Sequence, residues 1–423
     1  MFKRSSGVLA HVTSLPSPHG VGTMGKTARD FVDFLAAAHQ TYWQVLPLGH
    51  TGFGDSPYQC FSAAAGNPYL IDMDLLVEDG LLTADEVRQG DFDASPDTAD
   101  FEQLADTRWP LFRKAYSRVT PEMREEIAAF TEKNSEWLPD YALFMALKEE
   151  KYHHMPVYMW PDKDVRDRKP AALEKVTAEL RDEVDFRIFL QYIFFKQWTA
   201  LREYANEKGI QIIGDIPIYV SADSSDVWTH PKLFKLKPDR SPKLVAGVPP
   251  DYYSATGQLW GNPVYNWAAH KAENYAWWIW RMKSNMALFD VVRLDHFRGF
   301  AAYWEVGADE ETAINGKWRK GPGMELFNAI EKALGPVPLI AEDLGVQTDE
   351  VKELLEESGF PGMRVLIFGF TPDYDNEHLP HNYKPNSIVY TSTHDSQTVC
   401  EQIMDICSEP EKQFAYRYLR TSH

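Results

Sequence analysis

A (β/α)8-type barrel with helical insertions, its last unit missing, is the α/β fold class that this 423-residue sequence predicts. Two observations carry that reading. Seven short runs are rich in β-branched and apolar residues: 6–15, 41–49, 210–220, 289–296, 339–345, 363–370 and 387–395. Helical patterns such as TARDFVDFLAAAH and TDEVKELLEESG separate most of them, and strand–helix–strand order gives right-handed crossovers and a parallel sheet. A third observation bears on function. Three runs stay apolar until their last residues and then turn acidic, at Asp295 in FDVVRLDHFRGF, Glu342 in PLIAEDLG and Asp395 in SIVYTSTHDSQT. A buried strand has no reason to end on an unpaired carboxylate, because burying a charge costs several kcal/mol. Acids at the carboxyl ends of parallel strands are how barrel enzymes assemble a site.

The first run, SGVLAHVTSL, leads into Gly20-Val21-Gly22-Thr23-Met24-Gly25, which matches G-x-G-x-x-G. A dinucleotide site wants its first glycine at the strand end and an acid at the end of the next strand. Here Pro16 and Pro18 intervene and the next run ends Leu46-Pro47-Leu48-Gly49, so the segment reads as a glycine-rich loop beside the cleft. After TYWQVLPLG comes a gap too long for a crossover. Residues 67–181 read as a helical insertion, with Leu138, Tyr141 and Met145 at helical spacing. A helix over about 182–208 follows, stopped by Gly209 in a left-handed C′ position. After IQIIGDIPIYV comes a second insertion, 221–288. It carries a structured lid loop at 246–265, rich in Pro, Gly and Tyr. The last four runs follow in close order. The chain then ends inside the helical pattern CEQIMDICSEPEKQFAYRYLRTSH with no stop signal. The expectation is one catalytic barrel over 1–423, truncated from a longer protein.

The formal net charge of −19 argues against a polyanionic partner such as nucleic acid and against an acidic membrane surface. A neutral substrate fits. Most of the 13 Trp and 20 Tyr are expected in the core, but sugar clefts also use such rings for stacking and edge hydrogen bonds. Cys60, Cys400 and Cys407 have neither disulfide nor zinc spacing; the last two read as core thiols on a helix. No secretory h-region or membrane span is evident, which points to the cytoplasm.

Arg293 lies two residues before Asp295, so both side chains share one face of the strand. A guanidinium there keeps a carboxylate ionised and aimed, as a nucleophile requires; a structural Arg–Asp pair capping the strand is the competing reading. A carboxyl at an apolar strand end, as Glu342 is, is expected to suit a general acid; an N-cap role on the following helix is the competing reading for either acid, more so for the adjacent Asp343. His394 and Asp395 form a donor–acceptor pair suited to neighbouring sugar hydroxyls, or else a local turn bond. Two facing carboxyls with a third nearby are the equipment of a glycosidic-bond enzyme.

VRLDHFRGF, IAEDLG, YTSTHDSQT and GDIPIYVSADSSDVW resemble the four conserved stretches of the 4-α-glucanotransferases (amylomaltase or disproportionating enzyme; glycoside hydrolase family 77), relatives of the α-amylases. SLPSPHGVGTMG, YWQVLPLGHTGFGDSPYQCFSAAAGNPYLID and VAGVPPDYYSATGQLWGNPVYNW resemble the same family, in order. The resemblance implies transfer of α-1,4-glucan segments between maltooligosaccharides or amylose by retaining double displacement. Asp295 would be the nucleophile, Glu342 the acid/base and Asp395 the acid that holds the distorted sugar. Arg293, His394 and Asp215 would support the site, and Ser56, Tyr58, Gln258 and Trp260 would contact sugar. It implies no metal and no cofactor. Ser392 and Ser396 depart from the Gly and Asn of many members. The family also continues through a further barrel unit that this sequence lacks. A plain α-glucan hydrolase, or an inactive glucan-binding fragment, remains as the alternative.

Overall fold

The computed structural model describes residues 3–90, 99, 101–251 and 254–421. The strands among them, in chain order, are β1 (Gly7–Leu9), β2 (Tyr42–Gln44), β3 (Gln211–Ile216), β4 (Leu244–Val248), β5 (Gln258–Pro263), β6 (Val291–Leu294), β7 (Ala302–Gly307), β8 (Lys317–Lys320), β9 (Leu339–Ala341), β10 (Gly362–Val365) and β11 (Ser387–Tyr390). Each of the seven expected runs contains one strand of the parallel set. Five join in the order β1-β2-β3-β6-β9, and β10 pairs with β11. The Ala341 N–H donates to the Pro361 carbonyl at 2.9 Å, which carries the order from β9 to β10. The layer is curled, because the Tyr390 hydroxyl on β11 reaches Gln44 Oε1 on β2 at 2.6 Å. No ladder joins β11 to β1 among the described residues.

The two-residue period of the strands separates two cores. Trp43, Ile212, Val292 and Leu339 point outward into the main core. There they meet Ala28, Val32 and Leu35, the 4–3-spaced face of the helix Lys26–Ala37. Ile213, Val291, Ile340 and Met363 form a separate apolar cluster inside the curl, with Tyr42 and Ile388. One strand period further on, the same inward face carries Asp215, Arg293 and Glu342. The site is therefore the polar continuation of an apolar plug.

From 68 to 210 the described residues are helices and loops. Leu138, Tyr141 and Met145 are buried in a second core with Trp160, Val165 and Trp228. The helix Arg181–Glu207 ends as the sequence anticipates: Gly209 has φ 80° and Ile210 N–H closes onto the Ala205 carbonyl at 2.8 Å.

Three expectations need correction. The segment 246–265 is not only loop. It contains β5 and most of β4, which join β7 and β8 in an antiparallel sheet of order β5-β4-β7-β8. The partner that organises it, β7, lies beyond β6, and turn-rich composition hid the hairpin. Tyr252 and Tyr253 fall outside the described residues. Asp343 does not cap a helix; it is buried against Met363 N–H (2.7 Å) and Arg364 (3.0 Å) on β10, while Thr348 occupies the N-cap of the following helix. Of the two C-terminal thiols only Cys407 is buried, and Cys400 is exposed. No helix among the described residues is long and apolar enough to cross a membrane.

Candidate active site

The centre of the site is one buried guanidinium. Register places Asp215 on β3 opposite Arg293 on β6. Arg293 Nη1 donates to both Asp215 oxygens, at 2.7 and 2.6 Å, and to Asp295 Oδ1 at 3.2 Å. Its Nη2 donates to Glu342 Oε2 at 2.8 Å. Three carboxylates from three strands thus share one cation. Burial alone would lower the guanidinium's pKa, but Asp215, then Glu342 and Asp295, raise it well above its ordinary value, so it stays charged.

Asp295 is less simple than a strand-end Arg–Asp pair. Arg293 spends its shortest bonds on Asp215, whose side chain is wholly buried. Asp295 is left to burial and to the charge of Glu342, which together push its carboxyl well above the usual range; Arg293 opposes them. The elevation falls on Asp295, the group the sequence reading expected to be held ionised. The reason is geometric: Arg293 is the hub of a cluster and not the private partner of Asp295.

Tyr58 ties the far wall to this hub. Its hydroxyl donates to Asp215 Oδ2 at 2.8 Å and accepts from His394 Nε2 at 2.5 Å. The two rings stack at 5.6 Å with 4° between planes. Burial, then the charge of Asp215, raises the Tyr58 pKa, so the phenol stays protonated. His394 also reaches Asp395 Oδ2 at 3.2 Å. Asp395 itself is on the rim, with 64% of its side chain exposed.

Asp295, Glu342 and Asp395 border one cleft of about 590 Å³, together with Ser56, Tyr58, Gln258 and Trp260. Arg293, Asp215 and His394 lie behind that wall. All ten singled-out residues thus gather at one place, in two layers. Gln258 Oε1 accepts from Trp260 Nε1 at 3.1 Å. Gln59 Nε2 donates to Asn262 Oδ1 at 3.0 Å, which ties β5 to the loop that carries Tyr58. The 20–25 glycine segment is no part of the cleft lining. A Cβ at Gly22 would strike the Val12 carbonyl oxygen at 1.9 Å, so close packing explains that glycine.

Sequence reasoning missed His296, Gln59 and Asn262. The first sits in a left-handed conformation without a glycine or asparagine to signal it. The other two act through a contact 203 positions apart in sequence, which no local pattern records. Among the described residues no His, Cys, Asp and Glu cluster has the arrangement of a metal site.

A sequence profile described as 4-alpha-glucanotransferase matches residues 10–423. A 4-alpha-glucanotransferase of Clostridium butyricum is 47% identical over 97% of this chain and 84% of its own length. One from Thermus thermophilus is 48% identical over 98% of this chain and 83% of its own. Among solved structures, the amylomaltase from Streptococcus agalactiae in complex with acarbose superposes with a TM-score of 0.96 at 44% identity, covering 99% of this chain and 85% of that one.

Proposed function

We propose the function of this chain from the premise that it belongs to the 4-alpha-glucanotransferase family: it moves α-1,4-glucan segments from one maltooligosaccharide to another with retention at the anomeric carbon. The single observation that carries the catalytic reading is Arg293 bridging Asp215, Asp295 and Glu342. Two carboxyls held by one rigid cation are the pair that a double displacement needs.

Asp295 attacks the anomeric carbon while Glu342 protonates the departing 4-oxygen, and the C–O bond to the leaving glucan breaks. The glucanosyl ester on Asp295 is then attacked by the 4-hydroxyl of an acceptor. Glu342 takes that proton back and the ester bond breaks. Glu342 Oε2 accepts from Arg293 Nη2 and the His296 N–H, both at 2.8 Å, which leaves Oε1 as the oxygen that carries the proton. Asp295 attacks as the carboxylate, beside the Arg293 guanidinium. The glycosidic oxygen gives Glu342 an acceptor for its proton. His394 and Asp395 bind hydroxyls of the sugar at the nucleophile. Tyr58 and Trp260 supply stacking faces, and the hairpin β4–β5 favours a sugar acceptor over water.

The seven parallel strands are read as part of a (β/α)8 barrel, with 67–181 as a helical insertion and 221–288 as the insertion that carries the lid. The three free thiols fit the reducing cytoplasm. The test is Asp295→Asn assayed for disproportionation of maltotriose. Transfer is expected to vanish while glucan binding survives; substantial disproportionation by the variant would remove Asp295 from the nucleophile's role.

A further inference from the structure

The ladder between β6 and β9 carries one residue too many at the site. Glu342 N–H donates to the Leu294 carbonyl at 3.0 Å. A regular parallel ladder would return the next bond from His296, two residues on. It comes instead from Phe297, whose N–H donates to the Glu342 carbonyl at 3.0 Å. The extra residue is a β-bulge, a device that re-aims groups beside active sites. It is made by His296 in the left-handed region, φ 48° and ψ 48°, which Asn, Asp and His enter more readily than other residues with a side chain and which β-branched residues resist. Its N–H, freed from the ladder, points to Glu342 Oε2 at 2.8 Å. The imidazole packs edge-on against Trp260 of β5, with ring centroids 4.8 Å apart, and backs onto Gly299, where a Cβ would approach the ring to 3.1 Å.

We infer that His296 is a positioning residue with two separable parts: its main-chain N–H, aimed by the bulge, fixes the Glu342 carboxyl, and its ring braces Trp260 so that lid and acid/base are set together. Burial, with Arg298 second, pushes the imidazole pKa down to about 3. The ring is therefore neutral at working pH, serving as a packing surface without adding a cation beside Glu342. The inference rests on the proposed role of Glu342.

Three variants separate the parts. His296→Gly and His296→Asn tolerate the left-handed conformation and keep the N–H in place, but remove the ring. His296→Val resists that conformation, so the N–H turns away. Maltotriose turnover by the glycine and asparagine variants is expected about tenfold above that of the valine variant, the factor by which the left-handed region penalises an ordinary side chain. On a maltotrioside with a nitrophenolate leaving group, which needs little protonation, the difference should nearly close. All three should release a larger share of product to water, because Trp260 has lost its brace. If His296→Val does not fold, His296→Ala takes its place with the same ordering. Equal turnover of maltotriose by the glycine and valine or alanine variants would overturn the role of the N–H. An unchanged hydrolysis share in His296→Gly would overturn the role of the ring. Glu342→Gln is assayed alongside. Normal maltotriose turnover by that variant refutes the catalytic reading itself, whereas an inactive Glu342→Gln beside equal glycine and valine variants refutes only the inference about His296.

Discussion

Replacing Arg293 by methionine removes the one cation from among three carboxylates while keeping most of the side chain's length. Arg293 and Asp215 are 1% and 0% exposed at their side chains, so water cannot take over. Breaking a buried pair by removing one partner costs about 3–5 kcal/mol. For a chain of 423 residues, at roughly 2.1 cal/mol/K per residue, the unfolding entropy is about 0.9 kcal/mol/K, and the expected fall in Tm is about 3–6 °C. The loss should depend on pH. Arg293 opposes the rise of the Asp295 carboxyl, so without the guanidinium the folded-state pKa of Asp295 moves still further above its unfolded value near 4. A raised carboxyl contributes stability below the unfolded value and loses it as pH rises through the folded one. The deficit against the parent chain should therefore widen from pH 5 to pH 8. Calorimetry across that range measures it. A Tm within about 1 °C of the parent, or a deficit larger at pH 5 than at pH 8, would refute the picture of one cation stabilising a buried anionic cluster.

Three other perturbations have defined outcomes. Asp295→Asn abolishes transfer yet should stabilise the fold by ~1–2 kcal/mol at pH 7, as relief of a strained site does. Because burial and Glu342 raise the Asp295 pKa, the gain should shrink as pH falls toward 4, and urea titrations at pH 4 and 7 would detect a gain that failed to shrink. Trp260→Ala should weaken acceptor binding by ~1–2 kcal/mol and raise the ratio of hydrolysis to transfer; a lower rate at constant ratio would make the ring mere packing. Gly214→Ala places a Cβ 2.1 Å from the Phe289 ring, and thermal denaturation should register a loss of ~1–3 kcal/mol from overpacking.

The parallel strands were legible because apolar β-branched runs ending in turn residues leave a local trace. The acids were legible because a carboxylate at the end of such a run contradicts its surroundings. What local pattern could not hold was register. Arg293 and Asp295 could be paired by spacing, but Asp215 meets Arg293 only through the β3–β6 ladder, and that contact changes which carboxyl is raised. The antiparallel sheet was invisible for a similar reason: β4 lies between β5 and β7, segments on either side of β6 in the chain. β8, with sequence KWRK, is exposed throughout and has no alternation of burial to read. The bulge at His296 left no local signal because it is defined by the pairing of Leu294 and Phe297 with Glu342, 45 or more positions away, although histidine enters positive φ more readily than most residues.

The central claim is that Asp295 carries a covalent glucanosyl group with Glu342 supplying and removing the proton. Glu342→Gln can be mixed with α-maltotriosyl fluoride, whose leaving group needs no acid, in the absence of acceptor. Formation of the ester should proceed and its breakdown should stall. Peptide mapping by mass spectrometry is expected to find one maltotriosyl mass on the peptide containing Asp295. A label on Asp395, or fluoride release with no protein adduct, would contradict it.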